Sequence, residues 1–292
     1  MLTALLLSSA LADQTTFNID KGGGEWDFTV AWTDARDKKH RAAFSLPSEE
    51  VKADLEEPLR FKPKEARKAM VKAVNQWGKQ KKGPKVTAKL NSSGGVTYEV
   101  TGKDREKREK ALAQAHEVGD KALEKYLKRN GFTRNNEGTI IPDWAGHVNA
   151  YSDDLMPVVR ALGGPTQDPQ VFGNKALSFV QSIPYEKASL RRDRYRRPLS
   201  LLGRNRGDCD SKVVLYLSLM KAAYPKLDSG IVQIKGHAYG ALDTSGEGRT
   251  IKVGRERWLV VEPVGPAVVP MGVLGKRSKR KSRMGRYEVL ET

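Results

Sequence analysis

The chain has 292 residues, 38% hydrophobic and 30% charged, so its composition supports a folded core rather than disorder, and its length predicts about two domains. Its 52 Lys and Arg outnumber its 35 Asp and Glu, and the net charge of +17 favours anionic partners such as nucleic acid, lipid headgroups or cell-wall polyanions. A single cysteine and four histidines exclude an intrachain disulfide and a Cys-rich zinc site, and no apolar run approaches the ~20 residues of a membrane span.

The first twelve residues have the pattern of a signal peptide. Residues 2–7 are apolar, and Ala10-Leu11-Ala12 is the small-residue pattern that signal peptidase cleaves. The stretch is too short for an anchor and lacks the basic residues usual ahead of the apolar part. A buried N-terminal helix is the alternative interpretation. Export predicts a periplasmic or secreted protein, in which a lone cysteine requires an explanation.

Residues 13–102 are predicted to form a small α+β domain. Apolar residues alternate over two segments and indicate a first hairpin: Trp26, Phe28, Val30 and Trp32, then Ala42, Phe44 and Leu46. Pro63 opens a helix with apolar residues at three- and four-residue steps. A second hairpin is predicted around residues 91–95.

Residues 103–135 are predicted to be a long helix that connects two domains. Gly131 supplies the left-handed stop, and one face is rich in Lys, Arg and Glu. The apolar stripe is Leu112, Ala115, Ala122, Leu123, Tyr126 and Leu127.

Residues 140–292 are predicted to form a second α+β domain. Helices are expected at 153–162, at 169–183 and around Val213, and strands at 231–242 and 258–261. Two basic clusters are either solvated charge or a surface for an anionic ligand. They are a loop (Arg191, Arg192, Arg194, Arg196, Arg197) and a tail (Lys276, Arg277, Lys279, Arg280, Lys281, Arg283, Arg286).

Cys209 is the candidate nucleophile. Asp208 is a natural N-cap for the following helix and places Cys209 in its first turn, where the positive helix end favours a thiolate. Gly207 lets another chain, such as a substrate backbone, approach closely. The alternative is a buried structural cysteine that acts as a small hydrophobe.

A thiolate nucleophile requires an imidazole and a third group that fixes its tautomer. His237 lies in the predicted strand 231–242, where alternation places it on the less apolar face with Gln233 and Tyr239. Glu262 lies at the end of the next strand, just before Pro263, where its carboxylate can accept the imidazole N–H. A core histidine and an ordinary strand-end carboxylate are the alternatives.

Three motifs in this order resemble the transglutaminase-like cysteine peptidase group of the papain-like superfamily, over about residues 140–263. They are Gly-Asp-Cys-Asp opening a helix, Gly-His-Ala on a strand and Val-Glu-Pro at a strand end. The resemblance implies an α+β catalytic domain in which the helix carrying Cys209 packs on an antiparallel sheet. It also implies Cys209 as nucleophile, His237 as general acid/base and Glu262 as orienting acid. Transglutaminases most often have Asp followed by Pro-Thr at the third position.

The oxyanion hole has one expected donor and two further candidates. The Cys209 amide is the expected first donor. The side chains of Asn205 and Gln181 are the candidates for a second.

The leading hypothesis is an exported cysteine hydrolase or acyltransferase that acts on amide bonds of a protein or peptide, without metal or cofactor. A peptidase-like activity is favoured because the resemblance is to bacterial members. The alternative is a catalytically silent scaffold that binds an anionic envelope polymer. Nucleic acid is not an expected partner, since the basic clusters lack interleaved aromatics and export would separate the protein from it.

Overall fold

The computed structural model describes residues 13–56, 59–186, 195–265, 268–283 and 287–292. The predicted signal peptide therefore lies outside the described residues, as do Arg191, Arg192, Arg194 and Arg286. In the described part the chain is a mixed α+β protein with nine helices and antiparallel sheets. No helix in that part is both long and apolar enough to cross a bilayer.

The chain divides into two compact units at boundaries that differ from the predicted ones. The main unit combines Met1–Pro58 with Trp144–Thr292, and the inserted unit is Leu59–Asp143. The predicted domain 13–102 is therefore split, and the predicted connecting helix 103–135 belongs to the inserted unit.

The main unit begins with a three-stranded antiparallel sheet in the order β1-β2-β3. The predicted first hairpin is confirmed, because β2 pairs with β3 from Glu25↔Pro47 to Thr33↔Lys39 and the alternating apolar side chains are buried. A short helix follows the sheet. The elements are β1 (Asp13–Asp20), β2 (Glu25–Thr33), β3 (Lys39–Pro47) and α1 (Ser48–Glu56).

The inserted unit consists of two helices and two hairpins. They are α2 (Pro63–Gln80), β4 (Lys85–Leu90), β5 (Val96–Thr101), α3 (Arg105–Arg129), β6 (Phe132–Arg134) and β7 (Ile140–Pro142). Ala111 and Ala115 of α3 share a core with Val74 of α2 and Val86 of β4. The long helix is thus packed on its neighbours rather than bridging domains, and Leu112 of the predicted stripe is exposed.

The main unit continues with six helices and a five-stranded antiparallel sheet in the order β10-β11-β9-β8-β12. The helices are α4 (Trp144–Ala150), α5 (Met156–Ala161), α6 (Pro169–Ser182), α7 (Pro198–Arg204), α8 (Cys209–Ala223) and α9 (Lys276–Arg283). The strands are β8 (Ser229–Ile234), β9 (His237–Leu242), β10 (Thr250–Val253), β11 (Glu256–Val261) and β12 (Glu288–Glu291).

Helix α8 lies at the centre of the main unit. It packs against β8 and β9 on one side and against α4, α5, α6 and α7 around it. Every residue from Ser211 to Met220 is buried. The start of this helix, and therefore Cys209, is fixed by contacts with the surrounding elements.

The first sheet belongs to the main unit because its apolar face packs on α6. The Trp32 ring lies 5.4 Å from that of Phe179, and Phe44 meets the same ring edge-on at 6.5 Å. Trp32 Nε1 donates to Ser178 Oγ at 3.0 Å. These contacts join segments about 140 residues apart in the chain, which local sequence patterns do not reveal.

The predicted strand 231–242 is two strands of a hairpin. Lys235 and Gly236 form the turn, with Gly236 at φ +70°, and Ile234 pairs with His237. The predicted helix 153–162 is also shorter, because only Met156–Ala161 is helical in that segment.

Candidate active site

The first turn of α8 is capped as the sequence predicts. Asp208 is the N-cap, and its Oδ1 accepts from Ser211 N at 3.0 Å and from Ser211 Oγ at 2.6 Å. Ser211 Oγ in turn accepts from Arg196 N at 2.7 Å. Cys209 is the first helical residue, so its N–H has no intrahelical acceptor.

The sulfur of Cys209 is partly buried and its surroundings favour the thiol. Burial, together with the carboxylates of Asp210 and Asp208 and against the lowering effect of the Ala238 N–H, raises the pKa of Cys209 to about 12. Sγ donates to Asp210 Oδ1 at 3.5 Å. The helix end that favours a thiolate is therefore opposed by desolvation and by two carboxylates.

His237 lies at the first position of β9, directly before Ala238. Residues that pair directly across an antiparallel ladder share a face, so the pairs Ile234↔His237 and Val232↔Tyr239 lie on one side of the sheet. Val232, Ile234 and Tyr239 belong to the buried cluster on that side. The prediction that His237 shares a face with Gln233 is wrong, because the turn at residues 235–236 reverses the chain and pairs Gln233 with Ala238 on the other face.

Glu262 directly follows β11 and reaches His237. Nε2 of His237 lies 2.9 Å from Oε1 of Glu262, and the two side chains are only 14% and 4% exposed. In a site so poorly hydrated, such a bond is stronger than at the surface. A ring whose Nε2–H is donated to Glu262 carries its free lone pair on Nδ1, so Nδ1 is the nitrogen that can accept a proton.

The second carboxylate oxygen of Glu262 is also buried. Among the described residues, Oε2 has no hydrogen-bond partner. A methyl group built on Gly275, just ahead of α9, would lie 4.0 Å from Oε2. The backbone of Gly275 therefore lies close to this oxygen.

The structure brings Cys209 to the residue that follows His237, and His237 to Glu262. In the described part of the chain, no hydrogen bond joins Sγ to the His237 ring; Sγ donates to Asp210, and the N–H of Ala238 faces it. Bonds between nucleophile and base are often long without substrate and tighten in the reacting complex.

The two side chains predicted as further oxyanion donors have other partners. Nε2 of Gln181 donates to the backbone oxygens of Glu262 at 2.8 Å and Val269 at 2.9 Å. Asn205 ends α7 in the left-handed region, and its Nδ2 donates to Gln14 Oε1 at 2.5 Å. These amides bond to acceptors elsewhere in the main unit, and their roles as oxyanion donors stay predictions. The Cys209 amide stays a prediction.

Gly207 permits a close approach, but by the chain itself. A Cβ at this position would lie 2.7 Å from Leu201 Cδ1. Gly207 N donates to Pro184 O at 3.3 Å, and Gly207 O accepts from Glu186 N at 2.9 Å. The close neighbours within the chain are therefore the Leu201 side chain and the backbone of segment 184–186.

Two arginines of the predicted basic loop form internal ion pairs. Arg196 Nη2 lies 2.7 Å from Glu186 Oε2, and Arg197 Nε lies 3.1 Å from Asp54 Oδ1. Their charges are therefore committed to the fold rather than free for an anionic ligand.

The basic tail forms a helix that the sequence analysis did not predict. Ser278 and Ser282 of α9 are buried, and Ser282 Oγ lies 2.8 Å from Tyr239 Oη. Lys281 Nζ donates to Lys235 O in the turn before His237. The basic cluster thus lies beside the hairpin that carries His237.

Lys212 is a buried residue that the sequence analysis missed. Its side chain is fully buried, and burial lowers its pKa to about 7. Nζ donates to Ile183 O at 2.7 Å and to Gln181 O at 3.2 Å. The available signal is a lysine directly ahead of the apolar run that begins at Val213.

No group of three or more His, Cys, Asp and Glu side chains among the described residues is arranged to hold a metal ion. The site as described can therefore supply a sulfur, an imidazole and a carboxylate. No family model matches the chain, and no curated protein matches it in sequence.

Proposed function

We propose that the chain is a transglutaminase-like cysteine hydrolase or acyltransferase that acts on amide bonds of a protein or peptide substrate. The observation that carries this proposal is the 2.9 Å bond between His237 Nε2 and Glu262 Oε1, next to the Ala238 N–H that faces the sulfur of Cys209. The order of these parts along the chain, a Cys helix followed by a His strand and a strand-end acid, supports a papain-like catalytic domain.

The first half-reaction in this proposal forms an acyl-enzyme. The Cys209 thiol transfers its proton to Nδ1 of His237 as Sγ attacks the carbonyl carbon of the amide. Glu262 stabilises the imidazolium that results, and the Cys209 N–H faces the developing oxyanion. The imidazolium then protonates the leaving nitrogen, the C–N bond breaks, and a thioester to Sγ remains.

The second half-reaction resolves the thioester. His237 removes a proton from water, and the resulting hydroxide attacks the thioester carbon. The C–S bond then breaks, the imidazolium returns its proton to the Cys209 sulfur, and the acid product is released. An amine in place of water gives a new amide. We favour water, and thus a peptidase-like enzyme, on the resemblance to bacterial members.

The high thiol pKa gives His237 a specific task in this scheme. A sulfur with a pKa of about 12 holds almost no thiolate at neutral pH unless a base takes its proton. The thiolate then forms together with the imidazolium, so reactivity at neutral pH is expected to depend on His237.

Covalent labelling tests the proposal directly. Because Cys209 is the chain's one cysteine, alkylation by iodoacetamide followed by mass spectrometry reports on it alone. At pH 7, the alkylation of Cys209 is expected to depend on His237, so His237→Ala is expected to slow it. An alkylation rate that is the same in the wild-type chain and in His237→Ala would overturn the proposal. A peptide library with a Cys209→Ser control then identifies the substrate.

A binding function is the second candidate, and the charge of the inserted unit favours it. Leu59–Asp143 contains 21 Lys and Arg against 10 Asp and Glu, so it carries +11 of the chain's +17. Lys64, Lys68 and Lys72 are exposed at four-residue spacing along one face of α2. This stripe suits a linear anionic envelope polymer.

Salt and mutation separate the two functions. The binding function predicts that the chain binds polygalacturonate and that this binding is lost in about 1 M salt, where the Debye length is about 3 Å. It also predicts that the binding persists in Cys209→Ala. If replacing Lys64, Lys68 and Lys72 by Glu abolishes this binding, the polymer binds on α2. Both candidate functions assume that the protein is exported. That prediction depends on residues 1–12, which lie outside the described residues.

A further inference from the structure

Lys212 lies in the interior one turn after Cys209 on the same face of α8. Lysine is almost never fully buried unless its amine is paired, because removing the charge from water is costly. Here Nζ meets two backbone oxygens, Ile183 O at 2.7 Å and Gln181 O at 3.2 Å. Lys212 therefore makes two specific hydrogen bonds at a buried position, where most proteins have an apolar residue.

The two acceptors belong to the end of α6. The last carbonyls of a helix lack intrahelical partners, and a lysine near them is favourable because that end is negative. Gln181 is the same residue whose side-chain amide holds the backbone oxygens of Glu262 and Val269. One unbroken path therefore runs from Lys212 through Gln181 to Glu262.

The backbone of Lys212 is tied to the other side of Cys209. Lys212 N donates to Asp208 O at 3.1 Å and closes the turn that contains Cys209. Gly207, just ahead of that turn, pairs with Pro184 and Glu186. The start of α8 is thus held on both sides of the sulfur by the segment 181–186.

We propose that Lys212 is a positioning residue, which holds Cys209 in register with the His237–Glu262 pair through the end of α6. The proposal rests on the proposed function, since a register between sulfur and imidazole matters only if a proton passes between them. Lys212 touches neither the sulfur nor the ring, and it acts through Gln181.

The contacts of Lys212 persist in either protonation state. A neutral amine keeps two N–H donors, which is the number that the two carbonyls require. The tether is therefore independent of the pH range in which the thiol chemistry is measured.

The test is the rate of alkylation of Cys209 by iodoacetamide against pH in the full chain. Lys212→Met keeps the length of the side chain and removes both donors. Its rate at pH 7 is expected to fall about tenfold, with the profile displaced to high pH, because below the pKa the thiolate fraction falls about tenfold for each unit by which the pKa rises. Ser218→Ala is the matched control, since Ser218 is fully buried on α8 and bonds to Val214 O of its own helix.

The outcomes separate this proposal from the one on which it rests. A Lys212→Met profile that coincides with that of Ser218→Ala, while His237→Ala still abolishes the reactivity at pH 7, would overturn the positioning role and leave the catalytic site intact. No effect of His237→Ala would overturn the catalytic site itself. If Lys212→Met does not fold by circular dichroism, Gln181→Met decides, because it cuts the same path and is expected to produce the same displacement. An unchanged profile in that variant would count against the proposal.

Discussion

His237 and Glu262 share one hydrogen bond, from Nε2 to Oε1 at 2.9 Å, in a place where neither side chain is more than 14% exposed. The backbone of Glu262 is held independently by Gln181. The position of the carboxylate is therefore set by the fold rather than by its bond to the ring. This allows its charge and its placement to be altered separately.

Glu262→Gln tests the charge. The amide retains the size of the side chain but cannot balance an imidazolium, so we expect kcat to fall by about 100-fold or more with little change in KM or stability. The measurement is steady-state hydrolysis of the peptide selected from the library. Glu262→Asp keeps the charge and withdraws the carboxylate by one methylene, and we expect a loss of similar size from misplacement. Full activity in both variants would remove Glu262 from the mechanism.

The features that could be predicted from the sequence are those that depend on residues close together in the chain. The N-cap Asp208 follows from its place before a helix, and the alternation of Trp26, Phe28, Val30 and Trp32 follows from the two-residue period of a strand. The pKa of the Cys209 thiol does not have a purely local cause, because burial by other segments raises it most and opposes the helix end.

Other features depend on contacts between distant segments. The amide of Gln181 faces Glu262 across 81 residues, so nothing near it in sequence identifies its partner. The turn at Lys235-Gly236 lacks the Asn-Gly or Asp-Gly signal of a two-residue hairpin, and a continuous strand was the natural prediction. Helix α9 has no apolar stripe, since Ser278 and Ser282 form its buried face.

Asp210→Asn tests the electrostatics of the sulfur. Asp210 Oδ1 lies 3.5 Å from Sγ, and its charge raises the pKa of Cys209. Removing the charge lowers that pKa, so at any pH below it the thiolate fraction and the alkylation rate rise, by about tenfold per unit. Iodoacetamide labelling at pH 8 provides the measurement. Asp20→Asn on β1 is the control and is expected to leave the rate unchanged; a slower reaction in Asp210→Asn would contradict the assigned effect.

Phe179→Ala tests the assignment of the first sheet to the main unit. The ring packs against Trp32 and Phe44, so its removal leaves a cavity and is expected to cost about 3–4 kcal/mol in the free energy of unfolding. Val171→Ala on the same helix is 60% exposed and should change stability by less than about 0.5 kcal/mol. Urea unfolding of the full chain measures both. Equal effects would mean that Phe179 does not join the sheet to α6.

Lys212 makes the stability of the fold depend on pH. Burial lowers its pKa from 10.5 to about 7, so between these values the unfolded chain binds a proton that the folded chain does not. Stability rises with pH wherever the unfolded state binds more protons. The cost of burying Lys212 is therefore fully present below about pH 7 and is relieved as the pH rises toward 10.5.

Lys212→Met removes this titration. The free energy of unfolding of the wild-type chain relative to the variant should rise between pH 7 and pH 9.5, with a slope of up to about 1 kcal/mol per pH unit. Urea unfolding at several pH values in this window provides the measurement, and Ser218→Ala should run parallel to the wild-type chain. Because both bonds of Nζ to α6 survive deprotonation, the slope reports on the charge alone. A constant difference between wild type and Lys212→Met would mean that the amine has the same protonation state in the folded and unfolded chains.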